Sequence, residues 1–287
     1  MKKLIVIALL FLTACQGSNN THEVDTSDEN TNVVGGTNVP YKHELTNKVL
    51  SLRVGVKSQD NTYFTIYQCT ASAIARRVLL TAAHCVSTSA DFTRVELRDA
   101  NGKITKIKAV KAYVHGRYKA DKDNDLAIIT LENDLPQNIA ILRIPNMVAR
   151  GNLTEVQVAG YGRKTGVEGQ PGEVDVLRTT TLKVLNFDAT KKIFSVDQTE
   201  GKGICQGDSG GPALVKYNDV DYVVGVVSKT RYRPPTDDKT PVDKCNYVGE
   251  YVNLQYRPFQ YWVDNMITAL SAKIEIPEAF AVGYNLK

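Results

Sequence analysis

The chain has 287 residues, 43 % of them hydrophobic and 23 % charged, which is ordinary for a globular protein with a sizeable core. This length is enough for one or two domains. The formal net charge is only +4 and no strongly basic block is present, so the composition gives no sign of a nucleic-acid partner.

The five cysteines are spread through the chain, and none belongs to a CxxC pair. This spacing argues against a zinc or redox site, and we expect neither a metal nor a cofactor. Because the number is odd, one cysteine should differ in role from the others. The other four could form two disulfides, which would require an oxidising compartment. The five are Cys15, Cys69, Cys85, Cys205 and Cys245.

Residues 1–15 are similar to a bacterial lipoprotein signal. Two lysines follow Met1, and residues 4–12 form an apolar run of the right size for a secretory signal but too short to span a bilayer as a helix. Leu12-Thr13-Ala14-Cys15 resembles the lipobox, whose cysteine is acylated and becomes the mature N-terminus. We expect an exported membrane lipoprotein of the periplasm or cell surface, anchored through Cys15. An ordinary signal peptide with an incidental cysteine is the alternative.

Residues 16–32 are polar and acidic with a single aliphatic side chain, and we expect a disordered pro-segment or tether there. The tether ends abruptly at Val33-Val34-Gly35-Gly36. We therefore divide the remaining chain into a domain over about 33–270 and a C-terminal extension, 271–287, which is weakly strand-like and has no role that the sequence reveals.

From residue 49 onward the pattern is one of many short strands separated by turn signals, such as Asp99-Ala100-Asn101-Gly102. This pattern favours an antiparallel all-β barrel or sandwich. One helix is predicted over 258–269, because apolar residues recur there at helical spacing. The predicted strands are 49–56, 63–67, 74–80, 95–97, 104–114, 126–131, 156–159, 177–184, 222–227 and 247–254.

Three side chains have the chemistry needed for covalent hydrolysis. Ser209 lies in Gly207-Asp208-Ser209-Gly210-Gly211-Pro212, whose glycines let a substrate carbonyl approach backbone N–H groups, although the motif also suits a surface turn. A serine hydroxyl needs a general base, and His84, which follows an apolar strand, is either that base or a structural histidine. Asp125 precedes a fully apolar strand, where an unpaired charge is unfavourable and a histidine N–H would be a suitable partner.

Four motifs, in this chain order, resemble the trypsin/chymotrypsin serine proteases. The resemblance covers about residues 33–270 and implies a chymotrypsin-like, all-β fold of two six-stranded antiparallel β-barrels with a C-terminal helix. It also implies that the site lies between the barrels and that protein or peptide substrates are cleaved. The motifs are Val33-Val34-Gly35-Gly36, Thr81-Ala82-Ala83-His84-Cys85, Asp125-Leu126-Ala127 and Gly207-Asp208-Ser209-Gly210-Gly211-Pro212.

The same resemblance implies a role for each catalytic residue. His84 would take the proton from the Ser209 hydroxyl and return it to the leaving amine, while Asp125 would hold the imidazole in the required tautomer. The N–H groups of Gly207 and Ser209 would form the oxyanion hole. The implied disulfides are Cys69–Cys85 and Cys205–Cys245, which leave Cys15 for the lipid.

A zymogen is also implied. Cleavage between Asn32 and Val33 would free an amine that pairs with Asp208 and orders the oxyanion loop. The family usually has a basic residue where Asn32 stands, so the activating protease should not be trypsin-like. No cysteine in residues 16–32 ties the pro-segment to the domain, so we expect the same cut to release the domain from an anchor at Cys15.

The specificity pocket, as the resemblance assigns it, consists of Gly203, Ile204, Thr230 and Gly249. Gly203 at its floor carries no charge, Ile204 is apolar and Gly249 leaves one wall open, which favours a small or medium apolar residue before the scissile bond. An alignment shifted by one residue is the alternative. It would place Glu250 on the floor and give trypsin-like basic specificity.

Two other functions remain open at this point. One is a catalytically silent binding protein on the same fold, although all three catalytic residues are present. The other is an esterase or acyltransferase with the same triad, against which the activation residues Val33 and Asp208 argue.

Overall fold

The structure is a computed structural model that describes residues 34–60, 62–145, 153–170, 175–235 and 240–287. The predicted signal and tether, with Cys15, Asn32 and Val33, lie outside the described residues. Within the described ranges, the chain forms fourteen strands, two short 3-10 turns and one α-helix. None of the described helices has the length and apolar character needed to cross a membrane.

The first barrel is built from six antiparallel strands. These are β2 (Val49–Lys57), β3 (Phe64–Ala75), β4 (Val78–Thr81), β5 (Phe92–Arg98), β6 (Ile104–His115) and β7 (Ala127–Leu131). They follow the order β6-β5-β2-β3-β4-β7, and pairing of β6 with β7 closes the barrel. Fully buried aliphatic side chains, among them Leu52, Val95 and Ile129, pack in its core, as expected for strands rich in valine, leucine and isoleucine.

The second barrel repeats this arrangement. Its strands are β8 (Glu155–Gly160), β9 (Arg178–Asn186), β10 (Ile193–Asp197), β11 (Pro212–Tyr217), β12 (Val220–Arg231) and β13 (Val248–Asn253), and pairing of β8 with β9 closes it. The short strand β1 (Thr37–Asn38) adds to β9 at its edge. In the core Phe194 stacks on Tyr251 with ring centroids 5.1 Å apart. The predicted fold of two six-stranded barrels is confirmed.

The C-terminal part of the chain consists of a helix and a last strand. The helix α1 (Arg257–Ala272) has Pro258 in its first turn, where a missing N–H does no harm, and ends at Lys273 in the left-handed conformation. Buried Trp262 anchors it, and its indole N–H donates to the carbonyl of Phe280 at 2.8 Å. The strand β14 (Ala281–Asn285) then pairs with β6. Residues of the extension 271–287 therefore add a strand to the first barrel.

The predicted strand 74–80 is wrong as a single element. β3 ends at Ala75 and β4 begins at Val78, with Arg76 and Arg77 forming the turn of a hairpin. Arg76 donates to the carbonyl of Pro136 at 2.9 Å, so the two arginines are held by a neighbouring loop rather than by turn-type residues. Because this turn contains no glycine, proline or asparagine, no turn signal separates the two apolar parts of the predicted strand in the sequence. β10 and β11 were not predicted either.

His115, at the end of β6, packs against the helix. Its ring lies 5.5 Å from that of Phe259 and 5.1 Å from that of Trp262, centroid to centroid. Burial lowers the pKa of His115 from 6.5 to about 4, and the positive charges of Arg117 and Lys192 act in the same direction. The folded protein therefore keeps this ring neutral in mildly acidic solution.

The first prediction concerns the stability of this contact. The pKa of His115 is lower in the folded state than in the unfolded state, so the unfolded chain binds the proton first and stability is lost as pH falls from about 6.5 to about 4. We expect His115→Leu to reduce this pH-dependent loss of unfolding free energy by about 1–2 kcal/mol. This figure is lowered to allow for the partial exposure of the ring. Urea unfolding at pH 7.5 and 4.5 measures it, and parallel pH dependences in the two proteins would contradict it.

Candidate active site

His84 and Asp125 meet at one edge of the first barrel. His84 lies in a 3-10 turn just after β4, and Asp125 lies just before β7, which pairs with β4. The His84 N–H donates to Asp125 Oδ1 at 2.9 Å, and His84 Nδ1 lies 2.7 Å from Asp125 Oδ2. A carboxylate only accepts hydrogen bonds, so Nδ1 carries the proton and Nε2 remains free to accept one. This is the tautomer a general base requires.

Ser228 gives the third hydrogen bond to the Asp125 carboxylate. Its hydroxyl donates to Asp125 Oδ2 at 2.7 Å, and it sits where the register of β12 against β13 shifts between Val227 and Lys229. Asp125 is only 3 % exposed, and the three donors satisfy its buried charge. This role of Ser228 was not predicted, because a serine within a strand carries no local signal of a distant partner.

The loop that carries Ser209 depends on glycine. Gly207 and Gly210 have φ of 102° and 81°, and a Cβ on Gly210 would lie 2.0 Å from Thr81 Oγ1. Buried Thr70 holds the loop, since its N–H donates to the Ser209 carbonyl at 2.8 Å and its hydroxyl donates to the Gly207 carbonyl at 2.9 Å. Within the described parts of the chain, no acceptor takes the N–H of Gly207 or of Ser209.

His84, Gly207 and Ser209 line a single cleft of about 430 Å³. The disulfide Cys69–Cys85 forms part of its wall. The ligand atoms of Cys69, His84 and Cys85 lie within 4.8 Å of one another, a spacing that would suit a metal ion. Both sulfurs are in the disulfide, however, so they offer no thiolate, and the cluster does not make a metal site.

Asp208 is completely buried beside the nucleophile. Its carboxylate accepts the N–H of Gly162 and the N–H of Cys205, each at 2.8 Å. Burial raises the pKa of Asp208 to about 6, while these two hydrogen bonds and the charge of Arg178 act in the opposite direction. Arg178 donates to the carbonyl of Gly162 at 2.9 Å, so the N–H and the carbonyl of the same residue, Gly162, connect the carboxylate to the arginine. Arg178 was not predicted, because in the sequence it does not differ from an ordinary strand residue.

Val34 lies against the segment that precedes Asp208. Its carbonyl accepts the Gly203 N–H at 2.8 Å, and its buried side chain packs on Cys205 and Cys245. These two cysteines form a disulfide, as Cys69 and Cys85 do, so both predicted pairings are confirmed.

The residues predicted to form a specificity pocket lie at the end of the second barrel. Thr230 is partly exposed and pairs with Gly249 across β12 and β13, while Gly203 and Ile204 are buried nearby. A Cβ on Gly249 would lie 3.1 Å from Ile204 Cγ1, so these two residues face each other.

Glu250 is not part of this group. Successive side chains of a strand point to opposite faces, so Glu250 is turned away from the pocket side of Gly249. Its carboxylate binds Lys229 at 3.2 Å and Arg231 at 2.5 Å. The alternative in which Glu250 forms the pocket floor therefore disagrees with its position.

Comparison with known proteins agrees with this geometry. A family model described as Trypsin matches residues 34–252, more than half of the chain. The chain belongs to the trypsin family. Among its trypsin-family relatives are a chymotrypsin of Phaedon cochleariae, 32 % identical over 53 % of this chain, and CLIP domain-containing serine protease C9 of Anopheles gambiae, 28 % identical over 61 %. Melanization protease 1 of Drosophila melanogaster is 27 % identical over 71 %. The matches span 60 %, 56 % and 59 % of these relatives' lengths, respectively.

The second prediction tests Ser228. Ser228→Ala removes a hydrogen bond to a buried carboxylate, an interaction worth roughly 1.5–3 kcal/mol. We expect kcat/KM on a peptide substrate to fall about tenfold to a hundredfold, with the fold retained. Ser89→Ala is the matched control, because Ser89 lines the same cleft but is exposed and bonds only to Ser87 among the described residues. Equal activities of the two variants would contradict the role given to Ser228.

Proposed function

We propose that this trypsin-family protein is a serine-type endopeptidase, a hydrolase acting on protein or peptide substrates. The observation that carries the proposal is the 2.7 Å contact between His84 Nδ1 and Asp125 Oδ2 in a cleft that Ser209 also lines. The N–H groups of Gly207 and Ser209, which have no acceptor among the described residues, support an oxyanion hole beside the same hydroxyl. Catalytic residues are thus proposed to be His84, Asp125 and Ser209.

The proposed reaction proceeds through an acyl-enzyme. The Ser209 Oγ attacks the scissile carbonyl carbon, and His84 Nε2 takes the hydroxyl proton. When the C–N bond breaks, the same proton passes from His84 to the leaving amine. Water then attacks the ester, gives a proton to His84, and releases the carboxylic acid as the proton returns to Ser209. Asp125 stays ionised and stabilises the imidazolium in both halves.

A zymogen form is the second part of the proposal. A cut between Asn32 and Val33 would free an amine for the buried Asp208 carboxylate, and an activating protease that is not trypsin-like would make it. The position of Val34 supports this, because Val34 is bonded to Gly203 and packs on Cys205, whose N–H binds Asp208. An added cation would favour the ionised form of a carboxyl whose pKa burial raises to about 6.

Export is the third part. Two disulfides imply an oxidising compartment, which agrees with the apolar run of residues 4–12. Anchoring through Cys15 rests on the motif Leu12-Thr13-Ala14-Cys15 alone, and the insect relatives lend it no support. If Cys15 carries the lipid, the cut before Val33 also releases the domain from the membrane.

The third prediction tests catalysis. Fluorophosphonate, a small serine-directed probe, should label the wild-type protein beginning at Val33 but not Ser209→Ala, and labelling of His84→Ala should be slower. Loss of either residue should lower peptide hydrolysis by about 10⁴-fold or more. Ser89→Ala should behave as wild type.

Each competing function has its own outcome in this experiment. No labelling of the wild-type protein, with behaviour identical to Ser209→Ala, would indicate a silent binding protein. Labelling with hydrolysis of esters but not of any peptide would indicate an esterase or acyltransferase.

The fourth prediction concerns activation and release. N-terminal sequencing of the protein released from membranes should begin at Val33, and the released fraction should carry the peptidase activity. Cys15→Ala separates activation from release. This variant should not be anchored to the membrane, but it should still require the cut before Val33 for activity. Asp208→Asn should be cut and released yet stay poorly active. Full activity in uncut, membrane-bound protein would overturn this part of the proposal.

A further inference from the structure

Gln198 occupies the space between two glycines of the specificity pocket. It follows the end of β10 and its side chain is completely buried. A Cβ on Gly203 would lie 2.4 Å from the carboxamide carbon of Gln198, and a Cβ on Gly249 would lie 2.4 Å from its Oε1. Any side chain at either glycine would collide with this amide. The amide therefore fills the volume that the two glycines leave empty.

Hydrogen bonds fix the carboxamide in place. Its Oε1 accepts the Ile204 N–H at 3.1 Å, and its Nε2 donates to the carbonyls of Cys245 at 2.6 Å and Ile204 at 3.2 Å. Both amide hydrogens are thereby used. Displacing the side chain would leave three buried backbone groups without a partner. Gln198 is therefore a rigid part of the pocket rather than a side chain that swings aside for a substrate.

The charge around the amide is also informative. Gln198 is neutral, and the nearby carboxylate of Glu250 is bound to Lys229 and Arg231. Among the described residues, the groups bonded to this amide are backbone N–H and carbonyl groups and include no carboxylate that could pair with a lysine or arginine of the substrate. Burying such a charge without a counter-charge is unfavourable.

We propose that Gln198 is a specificity-determining residue that closes the floor of the specificity pocket. The shortened pocket takes a small side chain such as alanine before the scissile bond and rejects phenylalanine, lysine and arginine. This inference rests on the proposed endopeptidase function and deepens it. A structural brace for the wall around Cys205–Cys245 would explain the hydrogen bonds, but it would not explain why glycine stands at both positions that face the amide.

The fifth prediction uses peptides that differ only in the residue before the scissile bond, which is alanine, leucine, phenylalanine or lysine. We expect the wild-type kcat/KM for alanine to exceed that for phenylalanine and lysine at least tenfold. Gln198→Ala opens the floor, so the phenylalanine-to-alanine ratio should rise about tenfold or more, chiefly through a lower KM for phenylalanine.

Two further variants separate space from hydrogen bonding. Gln198→Met keeps a side chain of similar length but cannot make the three bonds, so stability should fall while the preference for alanine remains. Gln157→Ala makes the same kind of change at an exposed position of β8 and should alter neither property. A merely structural role predicts that Gln198→Ala and Gln198→Met lose activity on all substrates alike.

The wild-type profile decides the matter even if a variant does not fold. A wild-type preference for phenylalanine, lysine or arginine over alanine overturns the inference. An unchanged ratio in a folded Gln198→Ala protein that reacts normally with fluorophosphonate also overturns it. Failure of the proposed function looks different, because the wild-type protein then neither reacts with fluorophosphonate nor cleaves any of the peptides, and the inference falls with it.

Discussion

The buried carboxylate of Asp125 is the constraint on which the rest of the site depends. An ion that is almost inaccessible to water must receive hydrogen bonds, and here the donors come from both barrels. His84 belongs to the first barrel and Ser228 to the second, so satisfying the charge also fixes how these two segments meet. Ser228 lies where the register of β12 against β13 shifts, and a β-bulge of this kind can redirect a side chain.

A second buried carboxylate, Asp208, is handled differently. Backbone N–H groups of Gly162 and Cys205 hold it, and burial keeps its pKa raised to about 6 despite the charge of Arg178. Asp125 thus orients a side chain, whereas Asp208 ties together the loops around the nucleophile. Thr70 complements both, since it binds the carbonyls of Gly207 and Ser209, whose N–H groups have no acceptor among the described residues.

Much of the fold could be predicted from the sequence, because period-two patterns and turn residues are local signals. The family motifs also indicated His84, Asp125 and Ser209, since each stands at the end of an apolar run or in a glycine-rich turn. Ser228 and Gln198 escaped prediction for a physical reason. Their importance comes from partners far away in the chain. The residues next to them in the sequence do not distinguish Ser228 from an ordinary strand residue or Gln198 from an ordinary loop residue. The hairpin at Arg76 was missed because distant carbonyls stabilise its turn.

The strand β14 has a consequence for how the molecule is assembled. Ala281 pairs with His115, although all the strands β8–β13 of the second barrel lie between these two residues in the sequence. This contact therefore closes a very long loop of chain. Until residue 285 has emerged, β6 presents the unpaired backbone groups that β14 later covers. Because the pairing of β6 with β7 closes the first barrel without β14, this last strand covers an exposed edge of β6 rather than completing the barrel.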